Sequence, residues 1–108
     1  MRTEKPWGYE ELLELNDSYA VKLLLLRKGE RCSLQYHERK TETIFVLEGQ
    51  LSVLCGVDVR VLVAGEWLTI VPGVRHRMAA VYGDVRYLES SSPELDDVVR
   101  VGDDYGRG

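Results

Sequence analysis

The stretch Gly49-Gln50-Leu51-Ser52-Val53-Leu54-Cys55-Gly56-Val57-Asp58-Val59-Arg60-Val61-Leu62-Val63-Ala64-Gly65 decides the fold class. In an extended chain successive side chains point to opposite faces, so residues two apart share a face. Leu51, Val53 and Cys55 therefore line up together. Past Gly56, Val59, Val61 and Val63 share one face, with Asp58 and Arg60 on the other. Alternation of this period, bounded by glycine turns, predicts a pair of short strands.

The same unit recurs outward in both directions. Tyr19–Arg27, Cys32–His37, Thr43–Leu47, Trp67–Val71, Met78–Tyr82 and Val85–Glu89 are each rich in Val, Leu, Ile, Tyr or Trp. Lys28-Gly29, Glu48-Gly49-Gln50, Ala64-Gly65, Pro72-Gly73 and Tyr82-Gly83-Asp84 stand between them as turns. Short strands at about 8–12-residue spacing make an all-β sandwich or barrel. Leu23–Leu26 is uniformly apolar and reads as a strand buried on both faces. Only Glu10–Leu15 suits a helix, with a turn near Pro93–Asp97. The expectation is one domain over residues 1–108, a small antiparallel β-barrel.

The chain has 108 residues, 14 Lys and Arg against 18 Asp and Glu, and a net charge of −4. That balance argues against a role resting on attraction to phosphate backbones, so no nucleic-acid partner is expected. Its longest stretch without a charge, Gly49–Val57, falls short of the roughly 20 residues a membrane helix needs. Met1–Pro6 leads into no apolar run, so the expected location is the cytoplasm. Cys32 and Cys55 lie in apolar strand-like runs, without a Cys-x-x-Cys motif, and are expected to be free thiols.

The chemistry begins at Gln35-Tyr36-His37, where the amide and the imidazole sit two apart on a strand and face one side. A hairpin over Glu38-Arg39-Lys40-Thr41 would bring the Glu42 carboxylate back towards His37. His76, the second of only two histidines, follows Pro72-Gly73 at the start of another strand. One amide oxygen, one carboxylate and two imidazoles suit a borderline divalent metal such as zinc, iron, manganese, nickel or cobalt.

Order and spacing resemble the cupins, which are double-stranded β-helices of jelly-roll type. Gly29…His37…Glu42…Gly49 is similar to their first motif, with six residues between Glu42 and Gly49. Gly65…Pro72-Gly73…His76 is similar to the second. Arg39 stands where most cupins carry a second histidine, Pro72 falls one place late after Val71, and Ala80 replaces the usual asparagine. Lys5-Pro6-Trp7-Gly8, Val21-Lys22, Ser33-Leu34-Gln35-Tyr36-His37 and Asp96-Asp97-Val98-Val99-Arg100…Asp104-Tyr105-Gly106-Arg107 narrow the likeness. They resemble the isomerase domain at the C-terminus of type II phosphomannose isomerases.

That resemblance implies one divalent metal held by Gln35, His37, Glu42 and His76. It implies aldose–ketose isomerisation of a sugar phosphate, with Lys40 as the candidate base and Lys22 and Arg100 on the phosphate. It also implies a homodimer, for which Leu23–Leu26 would suit the interface. Tyr105 and Arg107 would close over a pocket or pack on a second subunit. Trp7 and Tyr9 would stack on the sugar or, more in keeping with aromatic residues, fill the core. A dioxygenase-type metal cupin and a non-catalytic binding cupin are the alternative readings.

Overall fold

Alternation around Gly56 resolves into a hairpin in the computed structural model, which describes residues 1–104. Those residues form eleven strands and no helix. In chain order the strands are β1 (Arg2–Lys5), β2 (Gly8–Leu15), β3 (Ala20–Leu26), β4 (Leu34–Tyr36), β5 (Glu42–Glu48) and β6 (Gln50–Cys55). Then come β7 (Asp58–Val63), β8 (Trp67–Ile70), β9 (His76–Ala79), β10 (Val85–Ser91) and β11 (Val99–Gly102). One sheet runs β1-β2-β3-β10-β5-β8 and the other β11-β4-β9-β6-β7, every pairing antiparallel. The core between them draws Leu24, Leu26, Ile44, Val46 and Tyr87 from the first sheet and Leu51, Val53, Leu62 and Met78 from the second. Burying each such side chain contributes about 1.5–3 kcal/mol. This is the expected all-β barrel.

Register decides which face of each strand is inward. Residues directly opposite in an antiparallel pair point the same way. Leu51 lies opposite Leu62, and both are buried. The opposite parity places Val61 against Ser52 and Val59 against Leu54, so the valine face of β7 is the solvent side, with Val59 66% exposed.

Glu10–Leu15 is a strand, not a helix. It is most of β2, paired with β1 on one edge and with β3 on the other. A bulge between Leu12 and Glu14 absorbs one extra residue and breaks the alternation that would have marked a strand. Two flanking ladders outweigh the helical preference of a Glu- and Leu-rich segment. Gly8 opens β2 because nothing else fits: a Cβ there would lie 1.9 Å from the Leu25 carbonyl oxygen. Pro93–Asp97 is the expected turn, and Leu23–Leu26 lies in β3 between β2 and β10.

The loop after His37 is not a hairpin. β4 and β5 belong to different sheets, so residues 37–41 cross from one layer to the other. Both cysteines are free thiols, Cys32 buried and Cys55 half-buried. Burial pushes the Cys32 thiol up to about 11, which keeps it protonated and unreactive. Trp7 and Tyr9 are both buried, and the Tyr9 hydroxyl accepts a 2.9 Å hydrogen bond from Arg86 Nη2.

Candidate metal centre

Three elements deliver three buried side chains to one point. His37 follows β4 in the five-stranded sheet, Glu42 opens β5 in the six-stranded sheet, and His76 opens β9. They are 2%, 1% and 0% exposed. Glu42 Oε1 lies 3.3 Å from His37 Nε2 and 2.9 Å from His76 Nε2, and a ligand atom from each of the three residues lies within 4.8 Å of the others. The imidazole centroids are 5.0 Å apart.

Backbone carbonyls settle the tautomers. His37 Nδ1 is 2.5 Å from the Asp97 carbonyl oxygen and His76 Nδ1 is 2.9 Å from that of Val74. A carbonyl only accepts, so each Nδ1 carries the hydrogen. In the neutral rings both Nε2 lone pairs then face the Glu42 carboxylate, itself an acceptor. His76 Nε2 and Glu42 Oε2 have no hydrogen-bond partner. Three acceptors meeting in a buried space call for a cation between them. The donor set fits a divalent metal.

Burial alone would raise the Glu42 pKa. Hydrogen bonds from the two histidines, available when their Nε2 atoms also carry hydrogens, and then the charge of Lys40 outweigh it and hold the carboxyl well below its usual range. Glu89, reaching in from β10, moves the other way: burial and then the Glu42 charge push it up to about 8. Lys40, only 3% exposed, lies between them, 3.8 Å from Glu42 Oε2 and 4.0 Å from Glu89 Oε2.

A pocket of about 140 Å³ adjoins this cluster. Lys5, Lys22, Lys40 and Arg100 bring positive charge to its lining, and Glu10 and Glu89 bring carboxylates. Glu10 holds Lys22 at 3.4 Å and Lys5 at 3.5 Å. Arg100 Nε is buried without a hydrogen-bond partner. Gln35 stands opposite both His76 and Arg100 in the ladder, and its amide oxygen accepts a 2.7 Å bond from Ser33. It lines the pocket, as do Lys22, Lys40 and Arg100, whereas His37, Glu42 and His76 are not among the lining residues. Arg39, in place of a second histidine, is exposed. Tyr105 and Arg107 lie outside the described residues.

Two residues of the site are not among those the sequence pattern singles out. Glu89 has a signal: the alternation Val85, Tyr87, Glu89, Ser91 places a carboxyl on the buried face of β10. Asp97, part of the tail motif, sends its carboxylate to the backbone N–H groups of Glu38, Arg39 and Lys40. No spacing rule announces that contact.

Two antiparallel sheets enclosing a His/Glu/His cluster define a cupin, a double-stranded β-helix. Within that class the chain belongs to the mannose-6-phosphate isomerase C-terminal family, whose model matches residues 1–103. It is 33% identical over 107 residues to a mannose-1-phosphate guanylyltransferase of Escherichia coli, covering 95% of this chain and 22% of that protein. The xanthan biosynthesis protein XanB of Xanthomonas campestris is 30% identical over 107 residues, again covering 95% of this chain and 23% of the relative. The chain thus spans less than a quarter of the length of these relatives. Among solved structures, KdgF from Halomonas sp. superposes with a TM-score of 0.82 at 18% identity, covering 90% of this chain and 89% of that one. An RmlC-like cupin from Shewanella frigidimarina gives 0.80 at 20% identity, covering 90% and 86%. Among the described residues no helix is long and apolar enough to cross a membrane.

Proposed function

We propose that this chain is a metal-dependent isomerase module that interconverts an aldose phosphate and its ketose, mannose 6-phosphate and fructose 6-phosphate being the leading pair. The observation that carries this reading is the convergence of two bare imidazole nitrogens on the buried Glu42 carboxylate, beside a pocket rich in positive side chains. Family membership and relatives named for a mannose phosphate support the substrate class. His37, Glu42 and His76 would hold one divalent ion (zinc, manganese, iron, nickel or cobalt), with the Gln35 amide oxygen as the fourth donor. When bound, the ion supplies a Lewis acid that polarises the carbonyl and hydroxyl oxygens of the sugar.

The remaining work falls to the chain itself. Lys22 and Arg100 bind the phosphate, Arg100 offering the Nε–H that lacks a partner. Lys40 reaches from the ligand loop into the pocket and moves the proton between the adjacent carbons. The buried setting of Lys40 and Glu42 strengthens these electrostatic contacts relative to water.

The test is a coupled assay of mannose 6-phosphate conversion on metal-loaded protein. Conversion that is lost in His76→Ala supports the reading. Metal-loaded, folded protein that shows no turnover at high concentration, on this or other aldose phosphates, removes it.

A further inference from the structure

We propose that Asp97 is the positioning residue of this centre: it holds the crossing between the two sheets so that His37 and Lys40 reach the site in one fixed arrangement. The inference rests on reading His37 as a metal ligand and goes beyond it to what makes the ligand ready.

Residues 37–41 leave one sheet and enter the other, so no ladder satisfies their backbone groups. Their hydrogen bonds come from elsewhere, and among the described residues three of the six backbone bonds go to one side chain. Asp97 Oδ1 accepts from Glu38 N–H at 3.1 Å, and Oδ2 accepts from Arg39 at 2.7 Å and Lys40 at 2.9 Å. Its own carbonyl oxygen accepts from His37 Nδ1. The preceding turn supplies the next pair: Ser92 N–H donates to the Thr41 carbonyl at 3.0 Å, and Thr41 N–H donates to Ser92 Oγ at 3.1 Å. Gly73 N–H completes the set, donating to the His37 carbonyl at 2.7 Å.

One residue therefore does two jobs. Its carboxylate sets the path of the backbone that carries Lys40, and its carbonyl sets the tautomer that leaves His37 Nε2 bare. The turn that bears it, Pro93–Asp97, is internally braced by Leu95 N–H on the Pro93 carbonyl at 2.9 Å, and Leu95 and Val98 stand on the pocket wall. His76 is held separately, by Val74.

The experiment uses the full chain, with Asp97→Ala and Asp97→Asn as variants and Asp96→Asn, at an exposed neighbour, as control. Co(II) binding is followed by its visible absorption, and ¹⁵N spectra of the metal-free protein report the tautomer of each histidine. Asp97→Ala is expected to raise the Co(II) dissociation constant about 10–100-fold. The variant keeps the backbone carbonyl of residue 97, so its effect on His37 comes through the turn drawing away once the three amide bonds to the carboxylate are lost. The Nδ1–H form of His37 is expected to weaken while His76 keeps it, a split that a general loss of stability would not produce. Should the alanine variant fail to fold, Asp97→Asn is judged by the same two readouts. Unchanged Co(II) affinity with His37 still in the Nδ1–H form overturns the proposal. If the unmodified protein binds no Co(II), the metal reading falls and the tautomer measurement alone decides whether Asp97 positions His37.

Discussion

Replacing Glu89 with glutamine should flatten the pH dependence of stability. Burial and the Glu42 charge raise the Glu89 carboxyl from 4.5 to about 8 in the folded chain. Between these values the folded chain keeps the proton while the unfolded chain has released it. Stability therefore falls as the pH rises through this window, because the folded state binds more protons. The gap of about 3.5 pH units, at about 1.4 kcal/mol each, amounts to about 5 kcal/mol. That is a large share of the 5–15 kcal/mol typical of a folded domain. Glu42 does not interfere in this window. Its folded value lies below 4.5, so its contribution is present above that pH and is lost only as the pH falls further. Glutamine keeps the size of the side chain and has no proton to lose. Urea unfolding of metal-free protein at pH 5, 6, 7 and 8, followed by circular dichroism, should show the native chain losing several kcal/mol that Glu89→Gln retains. Parallel pH profiles for the two proteins would refute the argument.

Gly8→Ala should cost more than about 3 kcal/mol or prevent folding, because its Cβ would lie 1.9 Å from a backbone oxygen that cannot move without breaking the β2–β3 ladder. Gly29→Ala, at φ +85° with open space around it, should cost only about 1 kcal/mol in the same thermal melts. Zinc or cobalt at 100 times its dissociation constant should raise the unfolding free energy by about 2.7 kcal/mol, an increment that His76→Ala removes when the same metal concentration is used. Lys22→Ala and Arg100→Ala should each raise KM for mannose 6-phosphate about 10-fold or more, the loss of one charge-assisted hydrogen bond, while Co(II) titration stays unchanged.

Strands with clean alternation are legible in the residues alone. β6 and β10 carry their inward residues at every second position, and turns bracket them. β2 is not legible in this way, because its bulge places Leu12 and Leu13 side by side and its glutamates suit a helix; only pairing with β1 and β3 decides its form. The approach of Glu42 to His37 follows from their five-residue separation, yet not through the hairpin that the spacing suggests. A hairpin would have kept both on one sheet, whereas the chain crosses the barrel between them. Gln35 and His76 share a ladder rung, a relation set by β4–β9 pairing across forty residues and invisible to local pattern. Asp97 is hidden for the same reason: its partners are backbone amides about sixty residues away, and amides leave no trace in residue identity.

β10 bonds to β3 along one edge and to β5 along the other, and both partners precede it in the chain. Until that strand is available the larger sheet exists as two separate pieces, each with an unpaired edge, one of them the leucine-rich β3. Joining strands so far apart in sequence makes assembly slow relative to a domain of local contacts. During that interval the open β3 edge is the place where a second chain could add itself. The same late strand carries Glu89 to the pocket, so a wall of the site and the protection against misassembly arrive in a single step.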